Sequence, residues 1–178
     1  MKIISWNVNS VRVRINYVNE LLRTEKPDFL CLQETKIIDD KFPNKSFADL
    51  GYFSYFFGIP SYNGVAILSK KKLISTEKHD LCNKLDARII SAETSDFDIM
   101  SVYVPAGGDV PDPNTNPKFR HKLLFLDELN QLLKKKKKII VCGDLNVAPY
   151  EDDVWSHKSL INVVSHTEIE REKLKKIL

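Results

Sequence analysis

The sequence holds no CxxC pair and no grouping of cysteines with histidines of the kind that captures zinc. It has only 3 cysteines, and Cys31 and Cys142 sit inside the apolar runs "FLCLQ" and "IIVCG". Thiols in such runs behave as small buried hydrophobes, which suits a reducing compartment better than a disulfide scaffold. No apolar run is long enough to cross a bilayer, and "MKIISWNVNS" enters a strand pattern at once, without the apolar core of a signal peptide. These absences predict a soluble cytoplasmic protein with no membrane partner. There is no internal repeat, no linker, and no low-complexity stretch beyond the lysines Lys134 to Lys138. Nor is either sign of charge in large excess: the net charge is +3 and the pI about 8.6. Such mild basicity is compatible with a polyanionic partner without requiring one.

What is present reads as one globular domain over residues 1–178, because hydrophobic residues make up 43% and a core can form. "KIISWNVN" alternates and is rich in strand formers, so it predicts a first strand. Ile15, Val18, Leu21 and Leu22 then recur at helical spacing until Pro27 stops the helix. "DFLCLQE" is apolar on both faces, as a central strand must be. "YFSYFF", "GVAILS", "RIISAE" and "DIMSVYVP" are further strand candidates, and "AGGDVPDPNTNPK" is a loop by composition. Phe119, Leu123, Leu126, Leu129 and Leu133 mark a second amphipathic helix leading into "IIVCGDLN". In the tail, Thr167 and Glu170 stand at capping-box positions before another helix. Many strands with few helices, and no simple alternation of the two, predict an α/β or α+β sheet protein.

The chemistry gathers at strand ends. Asn7 and Asn9 close the first strand, Gln33 and Glu34 close "DFLCLQE", Tyr103 closes "DIMSVYV", and Asp144 and Asn146 follow "IIVCG". In "GDLNVAP", Asp144 and Asn146 project the same way if the strand runs on, but the same residues form turns. If these ends converge, they make an oxygen-rich site suited to Mg²⁺ or Mn²⁺ and to phosphoryl transfer.

"WNVNSVRVR", "PDFLCLQETK", "NGVAILSK", "VYVPAGG" and "CGDLNVAP" follow one another here in the order and rough spacing of exonuclease III. The sequence resembles the exonuclease III / apurinic endonuclease family, within the endonuclease–exonuclease–phosphatase superfamily. "DVWSHKS" and "HTEIEREKL" extend the resemblance towards the last residues. It implies an α/β fold: a two-layer mixed β-sandwich flanked by helices, of DNase I-like type. It implies a Mg²⁺-dependent DNA-repair nuclease, with Mn²⁺ as a substitute. Such an enzyme cuts double-stranded DNA 5′ to abasic sites and trims 3′ ends. On this resemblance Glu34 is the principal metal ligand, with Asn7 beside it. Asp144 activates or orients the attacking water, Asn146 holds that aspartate and the phosphate in register, and Tyr103 faces the scissile phosphate. Arg88, in "DARII", resembles an arginine near the DNA.

Two parts of the family pattern are not matched. A further aspartate, and an Asp-His pair in a Ser-Asp-His-x-Pro context, have no counterpart. None of His79, His121, His157 and His166 follows an aspartate. Relative to the family the sequence therefore reads as C-terminally truncated, lacking several strands and leaving sheet edges and apolar faces exposed. The alternatives to an active nuclease are a non-catalytic remnant and half of a split nuclease that needs a complementing C-terminal chain. Other residues keep two readings each. Arg12 and Arg14 are either surface arginines at a helix start or backbone-phosphate contacts. Asn63 and Gly64 either form a turn or border the DNA. Lys134 to Lys138 are either a solvated helix end or a DNA contact. Trp6 and Trp155 read as packing residues, and the histidines as surface or loop residues.

Overall fold

The computed structural model describes residues 1–136 and 138–177. Its contacts group them into two compact units. The first runs from Met1 to Asp80, with Lys84–Tyr103 and Lys138–Asp144. The second comprises Leu81–Asn83, the stretch from Val104 through the long helix that follows, and the residues from Leu145 onward.

The first unit is a pair of mixed four-stranded sheets. Strands β1 (Ile3–Asn7), β2 (Phe29–Gln33), β3 (Phe53–Phe57) and β4 (Val65–Ser69) form one sheet in the order β1-β2-β4-β3. Strands β5 (Ser75–His79), β6 (Ile89–Glu93), β7 (Asp98–Tyr103) and β8 (Ile139–Asp144) form the other, in sequence order. In each sheet one pair is parallel, β1 with β2 and β7 with β8; the remaining pairs are antiparallel.

The period of two explains the layers. Phe29 and Cys31 of β2 turn inward with Val65 and Ile67, against Ile90, Ala92 and Ile99 of the other sheet. Leu30 and Leu32 turn outward with Ala66 and Leu68. There they meet Val18 and Leu22 of helix α1 (Ile15–Glu25) and Phe47 of the short helix α2 (Asn44–Ala48). β2 and β4 are buried along their whole length because both faces are covered. Trp6 packs against the same outer cluster.

In the second unit, helix α3 (Pro117–Leu133) begins at Asn116, whose side chain accepts from the backbone N–H of Lys118 and Phe119. Proline at the first helical position needs no donor there. Helix α4 (His157–Leu160) is a single turn. Helix α5 (Glu168–Lys175) has the capping box that Thr167 and Glu170 predict.

Several expectations are corrected. β5 was not anticipated, because "STEKH" is an exposed polar edge with no apolar alternation. β8 stops at Asp144, and Asn146 has a left-handed backbone (φ 48°), so strand alternation does not run on to it. Trp155 is not a packing residue: it is 82% exposed. His79 is buried in β5 rather than on the surface or in a loop, and His166, in the loop before α5, is buried too. His79 shares a 2.7 Å hydrogen bond with Ser91 Oγ, which makes its burial tolerable. Lys134 and Lys135 are exposed just past α3; Lys137 lies outside the described residues.

Candidate active site

Parallel pairing brings like ends together. Asn7 is in register with Gln33, and Tyr103 with Asp144. The polar residues that close these strands therefore emerge at the same end of each pair. Gly143 lets β7 and β8 approach: a Cβ there would lie 1.9 Å from the Val102 carbonyl oxygen. The link across the sandwich is Asn7. Its amide nitrogen donates to Glu34 Oε1 at 2.8 Å and to Asp144 Oδ2 at 2.9 Å. The Tyr103 hydroxyl lies close enough to the same Glu34 carboxylate for each group to shift the other's titration. Asn7, Glu34, Tyr103 and Asp144 thus converge in one cluster within the first unit.

The backbone around Glu34 is held in an uncommon form. Glu34 (φ 53°) and Lys36 (φ 52°) are left-handed, as are Asn9 (φ 41°) and Asn63 (φ 47°). Asparagine tolerates that region; glutamate and lysine do so at a cost. Neighbouring chain enforces it. The Ser10 N–H donates to the Glu34 carbonyl at 2.7 Å, and the Lys36 N–H to the Asn63 carbonyl at 2.9 Å. The turn at Glu34 ends the buried strand and frees its side chain for the cluster.

Burial pushes the Glu34 carboxyl up. Hydrogen bonds from Lys36, Asn7 and Tyr103 outweigh that and hold it below its ordinary value. Lys36 Nζ is 2.8 Å from Glu34 Oε2. Lys36 was not singled out from the sequence, although it is the last residue of "QETK"; a lysine two residues past a strand end gives no sign of where its ammonium goes. Tyr103 is pushed up to about 12, first by burial and then by the hydrogen bond and charge of Glu34; Arg88 opposes this and Asp144 adds to it.

Arg88 lies over the Tyr103 ring, its guanidinium carbon 4.8 Å from the ring centroid, and donates to the Tyr103 carbonyl. Its other partner is Asp86. The Asn63 side chain donates to the Asp86 carbonyl at 2.8 Å. Arg12 is exposed, and Arg14 donates to the Asn9 carbonyl. Asn146 belongs to the second unit, where its amide nitrogen donates to the Val104 carbonyl at 2.8 Å.

The oxygens offered by the cluster are those of the Glu34 and Asp144 carboxylates; the Asn7 amide turns its nitrogen to both, and its oxygen accepts from the Asn9 N–H at 3.1 Å. Among the described residues no group of three or more His, Cys, Asp or Glu could hold a metal. Carboxylate oxygens of this kind are the ligands of hard cations. This donor set does not suit zinc, which favours nitrogen and sulfur.

A model of the endonuclease/exonuclease/phosphatase family matches residues 4–164. The chain belongs to this family. Its fold, two mixed sheets with flanking helices, is that of an AP endonuclease from Archaeoglobus fulgidus, at TM-score 0.91 and 37% identity over 99% of this chain and 69% of that one. Exodeoxyribonuclease of Bacillus subtilis (strain 168) is 33% identical over 188 residues, covering 100% of this chain and 71% of the relative. Recombination repair protein 1 of Drosophila melanogaster is 34% identical over 182 residues, and there the chain spans 26% of the relative's length. The family is one of metal-dependent nucleases. No helix among the described residues is long and apolar enough to cross a membrane.

Proposed function

We propose that residues 1–178 form one endonuclease/exonuclease/phosphatase domain of a Mg²⁺-dependent DNA-repair nuclease. It cuts the backbone of double-stranded DNA 5′ to an abasic site and trims 3′ ends. The observation that carries this reading is the Asn7 amide bridging the Glu34 and Asp144 carboxylates beside the Tyr103 hydroxyl. The names of two relatives, an AP endonuclease and an exodeoxyribonuclease, support the two substrates. Three free thiols support a cytoplasmic setting.

Glu34 and Asn7 would hold the cation, which when bound would neutralise charge on the phosphate. Asp144 orients the attacking water and takes its proton. Tyr103, a neutral phenol at physiological pH, donates to a phosphoryl oxygen. Arg88 supports the Tyr103 ring, and Arg12, Asn63 and Arg88 border the DNA. Asn146 holds Asp144 and the phosphate in register.

A second reading is that these residues work with a complementing chain. It is favoured by one observation: no histidine here follows an aspartate, so these residues do not match the Asp-His pair that the family resemblance implies. The deciding experiment is cleavage of an abasic duplex and of a 3′-recessed duplex with Mg²⁺. The 178-residue polypeptide is assayed alone and with the C-terminal segment of a relative. Glu34→Gln and Asp144→Asn are expected to abolish whatever cleavage occurs. Cleavage that survives both substitutions would sink the assignment, as would none under either condition.

A further inference from the structure

The segment "HTEIEREKL" and the one buried lysine of α3 have no part in the mechanism above, yet they meet. Lys122 and Glu170 are fully buried, with Nζ 2.5 Å from Oε1. The Lys122 ammonium also donates to the Asn146 carbonyl at 2.5 Å, the Ala106 carbonyl at 3.1 Å and Ser165 Oγ at 3.1 Å. Glu170 accepts from the Ser165 N–H at 2.9 Å and from Thr167 Oγ1 at 2.6 Å. A buried ion pair of this kind is a poor way to join two helices, because apolar side chains of similar volume do so at less desolvation cost. Its use lies in what else the ammonium holds.

Residues 146–149 have left the strand, so their carbonyls need other donors. Asn146 is bound through Lys122. The Ala148 carbonyl is bound by His166 Nδ1 at 2.9 Å, and the Pro149 carbonyl by Arg171 Nε at 3.0 Å. The Ala148 N–H donates to the Ser165 carbonyl at 2.8 Å. The start of α5 thus braces one residue after another along this segment. At its head the brace fixes a left-handed asparagine whose side chain is tied to the Val104 carbonyl.

We propose that Lys122 and Glu170, with the flanking His166 and Arg171, are positioning residues that set Asn146 for the reaction. This rests on the role given to Asn146 above. The pair acts through the Asn146 backbone and touches no substrate. Without it the carbonyl of Asn146 loses the Lys122 ammonium, the left-handed turn relaxes, and the amide shifts. A misplacement of about 1 Å costs roughly a hundredfold in rate.

The test compares the full 178-residue chain with Lys122→Met/Glu170→Leu, which replaces the ion pair with apolar groups, and with Glu170→Gln. Each is read by thermal midpoint, by backbone amide exchange at Asn146–Ala148, by the NMR signal of the Asn146 side-chain amide, and by kcat and KM on an abasic duplex with Mg²⁺. A merely structural pair predicts that the double variant matches the wild type in every reading once its midpoint recovers. The positioning role predicts, whatever the midpoint, that exchange at 146–148 rises about tenfold or more beyond any rise elsewhere in the chain, and that kcat falls by about as much with KM little changed. Wild-type exchange and kcat in the double variant would overturn it. If that variant does not fold, Glu170→Gln decides by the same two readings. If the wild type itself cleaves nothing, the proposed function is at fault, while exchange and the side-chain amide signal still decide the brace.

Discussion

Tyr103 is the residue whose titration reports the cluster. Its folded value of about 12 lies above the ordinary 10.0, because burial and the neighbouring Glu34 carboxylate disfavour the phenolate. A raised value stabilises the fold fully below pH 10, and that contribution is lost as pH climbs towards about 12. In metal-free protein, near-ultraviolet absorbance should show a late tyrosine ionisation towards about pH 12 from Tyr103, while burial also pushes Tyr52 up. Tyr103→Phe should remove the late step. A late step that persists in that variant would assign it to another tyrosine. In the cleavage assay Tyr103→Phe loses one donor to the phosphoryl oxygen, an effect of roughly a hundred- to thousandfold in kcat.

At the scale of elements, the site depends on how closely β7 and β8 approach and on how the chain enters α3. Gly143→Ala puts a Cβ 1.9 Å from the Val102 carbonyl oxygen, so the two strands must part. Overpacking of this kind costs about 1–3 kcal/mol. It also breaks the register that sets Tyr103 beside Asp144. A lowered denaturation midpoint and a lowered kcat are both expected; an unchanged midpoint would show that the strands yield without loss. Asn116→Ala removes the cap of α3, worth about 1 kcal/mol. It also removes the side-chain bond to the Gly107 carbonyl. Chemical denaturation should show a loss of at least about that size, without a matching change in KM, since Asn116 belongs to no part of the proposed mechanism.

For the molecule as a whole, the limits lie in charge and ligand supply. Two carboxylates and an amide make a sparse site, so Mg²⁺ should bind the 178-residue chain at about millimolar affinity, in the range of the weakest oxygen-ligand sites. Micromolar binding by calorimetry would show that other residues complete the coordination. A net charge of +3 supplies little long-range attraction to DNA. Binding to duplex DNA should therefore be weak and fall steeply with salt, the slope reporting how few phosphates are contacted. β1 and β8 each have a strand partner on one side only. Both are apolar edges, which favour pairing with another chain at high concentration.

The sequence by itself determined much of the sandwich, because period-two burial and capping residues are local. The inward and outward faces of "FLCLQ", the helix from Ile15, and the Thr167–Glu170 box all follow from neighbours within a few positions. It also marked Asn7, Glu34, Tyr103 and Asp144 as strand-end residues. β5 escaped, since an edge strand need not be apolar, and Trp155 was misjudged because residue type says little about burial at a loop. Only the tertiary structure decided that one asparagine amide reaches two carboxylates 27 and 137 residues away, that Lys36 folds back on Glu34, and that Lys122 is buried against Glu170. Those contacts depend on which strands lie side by side and on where long side chains are forced to point. Neither is written in any stretch short enough for periodicity to read.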